Sequence, residues 1–176
     1  MNYDVFGTGW SKVVGPNAPL NDTCAPASDQ EGSAVSAVQK WMTAGIPANQ
    51  IVLALAAYGH GFFVDQSDAL DATSIAASAS FSTNTSAPGT YMIAAYPPTN
   101  SSTPEGDPTD TFSTGGQLDE CGRVTSAGWG GVWNFGGMVD GGFLNQDGTA
   151  ASGLGFRFDT CSQTVRLPQY VRLLSL

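Results

Sequence analysis

Basic side chains are scarce in this chain. Its 176 residues carry six Lys plus Arg against fifteen Asp plus Glu, a formal net charge of -9, with His60 as the lone histidine. A surface of that sign repels phosphate backbones and anionic headgroups, so nucleic acid and membrane are poor candidate partners, whereas a neutral polymer such as a polysaccharide is not. Long apolar runs are missing as well. None approaches the roughly 20 residues that cross a bilayer as a helix, and no charged-then-apolar leader precedes Asn2. The cysteines are Cys24, Cys121 and Cys161, with no CxxC pair. Together with a single imidazole they make no zinc ligand set, and no metal or cofactor is expected. One disulfide plus one unpaired thiol is the plain reading, with the pairing left open.

Hydrophobic residues make up 41% of the chain and charged ones 12%, alongside 22 Gly and 10 Pro, which describes a globular, loop-rich protein made polar by Ser, Thr, Asn and Gly. The length suits one domain but is short for a complete α/β barrel. Asn21-Asp22-Thr23, Asn84-Thr85-Ser86 and Asn100-Ser101-Ser102 are glycosylation sequons in loop-like segments, and with the scarcity of Lys they point outside the cell. A leader belonging to an absent amino-terminal portion would reconcile the sequons with the missing export segment.

Met1-Asn2-Tyr3-Asp4 reads as a short strand whose end sets a phenol beside a carboxylate, within reach of one bound molecule. A long Gly/Pro/Asn-rich loop follows over 7–27. Ser28 to Glu31 has capping-box spacing, and Val35, Val38, Trp41 and Met42 then share one helical face, which predicts a helix over 29–44 with Trp41 in the core. Ile51 to Ala57 is a continuous apolar run that suits a parallel strand buried on both faces. Strand, loop, helix and strand compose a right-handed βαβ unit, which would bring Tyr3, Asp4, Tyr58 and His60 to the carboxyl ends of its strands.

Residues 62–127 read as an insertion of small strands and loops, with a weak Ala-rich turn over 70–77. Gly128 to Phe135 reads as a third buried strand. Asp65, Asp68 and Asp71 lack calcium-loop spacing and read as solvated turns. His60 reads as a strand-end loop residue, because no Ser or Cys with an oxyanion loop accompanies it. Trp10 and Trp129 fit either a sugar platform or loop packing.

In order and spacing, Met1-Asn2-Tyr3-Asp4, then Ile51 to Gly61, then Gly130-Gly131-Val132-Trp133 resemble the sixth, seventh and eighth strands of glycoside hydrolase family 18, the chitinases. Val14 to Leu20 and Phe143 to Thr149 resemble its secreted fungal members. The resemblance implies an α/β fold: the carboxyl-terminal part of a TIM (β/α)8 barrel, strands six to eight, with a small insertion between the last two. It implies one partial domain over 1–176, with the insertion at about 62–127 and an atypical tail at 165–176. It further implies hydrolysis of β-1,4-linked N-acetylglucosamine in chitin or chito-oligosaccharides, in which the sugar's own acetamido oxygen attacks the anomeric carbon. Tyr3 would hold that acetamido group and Asp4 would contact the same sugar. Trp133, with Phe135 as the alternative, would form the aromatic floor beneath it. The family's acid motif, Asp-x-x-Asp-x-Asp-x-Glu, occurs nowhere in these residues. No catalytic residue is therefore assigned, and the chain by itself is expected to show little or no turnover. A non-catalytic carbohydrate-binding glycoprotein, or an incomplete gene product, is the alternative.

Overall fold

The computed structural model describes residues 1–69, 94–100, 102–151, 156–169 and 172–175. The Ala-rich turn expected over 70–77 and the Asn84 sequon lie outside them.

At the amino terminus the chain is extended rather than laddered. Asn2 forms a parallel bridge with Leu55, its N–H donating to the Ala54 carbonyl at 3.3 Å. Strand, helix and parallel return are thus present in outline. The helix α1 covers Ala34–Thr43 and starts later than the sequence pattern predicts. The Asp22 carboxylate accepts from Gly32 N–H and the Ser33 hydroxyl, and Gly32 at φ 126° breaks the backbone there, so Ser33 and Ser36 make the capping box. Ala27–Asp29 forms only a 3₁₀ turn.

Two burial expectations are corrected. Val52 and Leu55 are 90% and 76% exposed, and Trp41 is 60% exposed. Among the described residues no second layer covers either the Ile51 to Ala57 run or the apolar stripe of α1, so their hydrophobic patterning goes unsatisfied.

The regular sheet lies further on. Strand β1 is Tyr58–Phe63, and the short helix α2 is Gln66–Ala69. Strands β2 (Phe112–Ser113) and β3 (Gly128–Trp129) pair as a small ribbon. They are followed by β4 (Val132–Asn134), helix α3 (Phe135–Asp140), β5 (Arg157–Asp159), β6 (Thr164–Gln169) and β7 (Arg172–Ser175). The five-stranded sheet has the order β4-β1-β7-β6-β5, and every neighbouring pair in it is antiparallel.

That order overturns the third parallel strand expected over Gly128 to Phe135. Within it, β4 runs antiparallel to β1, with Tyr58 opposite Asn134 and His60 opposite Val132. The turn is forced from outside the strand. The Asp110 carboxylate accepts from Gly106 and Gly131 N–H at 2.8 and 2.9 Å, while buried Asp107 accepts from Asn134 N–H at 2.7 Å and from Thr109 N–H and hydroxyl at 2.8 and 2.6 Å. Gly131 sits at φ 69°, and a Cβ there would press on Thr103 and the Pro104 carbonyl. The tail, atypical in sequence, is structural: β6 and β7 form a hairpin whose second strand covers the free edge of β1.

Among the described residues two clusters make the core. Phe6, Val14, Phe62 and Val64 join the loop after Asp4 to β1. Met138, Phe143, Leu144 and Leu167 join α3 to the tail. Cys24 and Cys161 form a disulfide that closes 137 positions of chain, and Cys121 is free and exposed. Between the clusters Arg166 is fully buried, its guanidinium 4.9 Å from the Tyr96 ring centroid and donating to the Ala95 carbonyl.

Candidate active site

Asp4 stands in the left-handed region at φ 58°, where a non-glycine residue is held only by its surroundings. Asn17 holds it. The fully buried Asn17 carboxamide accepts from Asp4 N–H at 2.8 Å and donates to the Tyr58 carbonyl at 2.8 Å, so one side chain fixes the Asp4 backbone against the start of β1. Val5 N–H donates back to the Asn17 carbonyl at 3.1 Å.

The Asp4 side chain is thereby aimed at β1. Its Oδ1 accepts from the Tyr58 hydroxyl at 2.6 Å and lies 2.9 Å from His60 Nε2, which requires the hydrogen to be on that nitrogen. Its Oδ2 has no partner among the described residues, and the side chain is 48% exposed. Partial burial by itself would raise the Asp4 pKa, but the hydrogen bonds from Tyr58 and His60 and the imidazole's charge outweigh it and hold the carboxyl below the usual carboxylate range. Burial, then the bond to Asp4 and its charge, push the Tyr58 phenol well above its ordinary value. Near neutral pH the pair is a carboxylate and a neutral phenol.

Aromatic rings surround this group. Tyr3 lies 6.0 Å from Tyr58, edge to face, and the Trp10 indole lies 5.7 Å from His60, nearly perpendicular to it. Trp10 is 59% exposed, with its Nε1 donating to the Val5 carbonyl at 3.4 Å. Gly7 makes room for it, since a Cβ there would strike the indole. Asp4, Trp10, Tyr58, His60, Val132 and Asn134 line one open cleft of about 270 Å³. It offers a carboxylate oxygen, hydrogen-bonding side chains and an aromatic wall, the inventory suited to a neutral polyhydroxylated ligand. No group of three or more His, Cys, Asp or Glu that could hold a metal occurs among the described residues.

Of the three residues proposed from sequence, Asp4 lines this cleft, Tyr3 packs against Tyr58 without lining it, and Trp133 lies elsewhere. Its ring packs edge-on against Phe143 at 5.0 Å, in the cluster beneath α3. The reason is strand parity: Val132 and Asn134 face the cleft, so the residue between them points the other way. His60, taken from sequence as a loop residue, is a buried strand residue in contact with Asp4. Trp10, which by sequence fits either a platform or loop packing, stands at the cleft. Val132 and the staple Asn17 fall inside family-like runs, Gly130 to Trp133 and Val14 to Leu20, without being singled out there, and Asn134 carries no signal that marks it in the sequence.

Residues 1–127 match the family model for glycosyl hydrolases family 18. A chitinase-like effector of Moniliophthora roreri is 47% identical over 165 residues, 93% of this chain and 35% of its own length. A chitinase-like effector of Moniliophthora perniciosa is 44% identical over 163 residues, 92% of this chain and 32% of its own. The chain therefore spans about a third of the length of these curated relatives. Among solved structures, a chitinase from Rhizomucor miehei superposes with a TM-score of 0.72 at 25% identity, covering 100% of this chain and 40% of that one.

Proposed function

The chain belongs to glycosyl hydrolase family 18, and from that premise we propose that its Asp4 cleft binds an N-acetylglucosamine unit of chitin or a chito-oligosaccharide and orients the acetamido group. The observation that carries this reading is the Asp4 carboxylate: one oxygen is fixed by Tyr58 and His60, and the other is left for a ligand's N–H or O–H. An ionised acceptor held by two donors does not have to reorganise when the sugar arrives. Trp10 supplies an apolar face for the pyranose ring, and Tyr3, packed against Tyr58, is the family-implied contact to the acetamido group.

In chitinase-type chemistry the acetamido oxygen attacks the anomeric carbon while an acid protonates the departing oxygen. These residues provide the first half of that arrangement. The sequence contains no Asp-x-x-Asp-x-Asp-x-Glu, the motif that in the family carries the general acid, a group that contributes about 10²- to 10⁴-fold. Binding without efficient cleavage is therefore the proposed behaviour of the 176 residues by themselves. The parallel bridge between Asn2 and Leu55 supports reading the segments around them as the sixth and seventh strands of a (β/α)8 barrel. Action outside the cell is supported by the Cys24–Cys161 disulfide and the sequons, alongside relatives described as effectors.

Titration of the purified chain with N-acetylglucosamine oligomers tests the proposal. Saturable binding that weakens by roughly 10- to 150-fold in Asp4→Asn and is absent for glucose oligomers is the expected result. Equal affinity of wild type and Asp4→Asn would overturn it.

A further inference from the structure

We infer that Asn100 is a site of N-linked glycosylation, an inference independent of whether the Asp4 cleft binds sugar. Asn100-Ser101-Ser102 satisfies the acceptor triplet, and the structure adds what a triplet alone lacks. Asn100 is exposed, yet its backbone is anchored: its N–H donates to the Phe63 carbonyl at 2.9 Å, at the end of β1, and Thr99 N–H donates to the Lys12 carbonyl at 3.0 Å. The acceptor is thus presented from a fixed point, and a bulky group there displaces no core residue. Its side-chain Oδ1 accepts from Ser102 N–H at 3.0 Å, while Nδ2, the atom to be modified, has no partner among the described residues.

Asn21 makes a similar bond, its Oδ1 accepting from Thr23 N–H at 3.2 Å, but in a different setting. It is half-buried, its carbonyl lies 3.8 Å from Cys161 Sγ, and the next residue, Asp22, ties the start of α1 through Gly32 and Ser33. A glycan on Asn21 would stand at the disulfide and at the helix cap together. Asn100 carries neither burden.

The reaction is an oligosaccharyl transfer from a polyprenyl diphosphate-linked donor. Asn100 Nδ2 attacks the anomeric carbon, the C–N bond forms as the bond to diphosphate oxygen breaks, Nδ2 gives up one proton, and the lipid diphosphate departs. No oxidant or reductant is involved.

The test is secretion of the full chain from a yeast host, followed by enzymatic deglycosylation in heavy-oxygen water and peptide mapping. Conversion of Asn100 to heavy Asp is expected, with Asn100→Gln and Ser102→Ala both abolishing that mark and migrating faster. Ser102→Ala leaves Asn100 in place, so it serves should the Gln variant fail to be secreted. A secreted chain with Asn100 bare, or modified only at Asn21 or Asn84, overturns the inference.

Discussion

The Tyr58 hydroxyl donates to Asp4 Oδ1 at 2.6 Å across 54 positions of sequence. That bond, with His60 on the same oxygen, turns two separate sequence segments into one site. Losing the carboxylate charge in Asp4→Asn keeps the side-chain shape and tolerates the same backbone conformation. Bonds to a charged group contribute about 1.5–3 kcal/mol, so affinity for N-acetylglucosamine oligomers should fall by roughly 10- to 150-fold in a titration. Tyr58→Phe removes a positioning bond only and should cost roughly 2- to 10-fold.

Trp10 and Trp133 are predicted to part company. Trp10→Ala should weaken oligosaccharide binding by about 2- to 10-fold, because it strips the aromatic wall while leaving the core intact. Trp133→Ala should leave affinity near wild type and lower unfolding stability by about 2 kcal/mol, since its half-buried ring packs on Phe143. Denaturant melts and binding isotherms on both variants separate the roles. Loss of affinity in Trp133→Ala with unchanged stability would return the platform to that residue.

Asp107 should make stability fall in acid. Burial alone would raise its pKa, but bonds from Thr109 and from Asn134 N–H prevail and set it below the usual carboxylate range. A depressed folded pKa means that the contribution is complete above the unfolded value of roughly 3.9 and is lost as pH falls through the lower, folded value. Asp107→Asn should therefore melt below wild type at neutral pH, and the gap should close on acidification below about pH 4. A gap independent of pH would show that the carboxylate's charge is not what braces β4.

Reduction of Cys24–Cys161 should be severe. For a closed loop of this span the chain-entropy model gives about 5 kcal/mol, comparable to the whole stability of many domains. Paired Cys24→Ser and Cys161→Ser changes should lower the melting temperature strongly, whereas alkylation of exposed Cys121 should leave it unchanged.

Much of the site was legible because its chemistry sits in short runs. Met1 to Asp4 and Tyr58 to Gly61 are each contiguous, and a phenol beside a carboxylate at a strand end signals itself. The glycines before Trp133 read as a tight approach within a parallel strand. They instead mark a turn, locked by Asp107 and Asp110 from a loop that has no pattern of its own. The sequence pattern yields helix α1 but starts it too early, because its cap depends on Asp22, eleven residues before Ser33.

By itself the sequence determined what is local and compositional: an acidic surface, the existence of a helix, apolar runs, and residue types able to bind a neutral sugar. Tertiary structure decided which way β4 runs, which of its faces meets Asp4, and that the tail closes the edge of β1. Those outcomes turn on hydrogen bonds between residues far apart in the chain, and a side-chain period of two makes every facing residue depend on them. Whether Ile51 to Ala57 and α1 are covered was never a property of their own residues, since burial belongs to whatever packs against them.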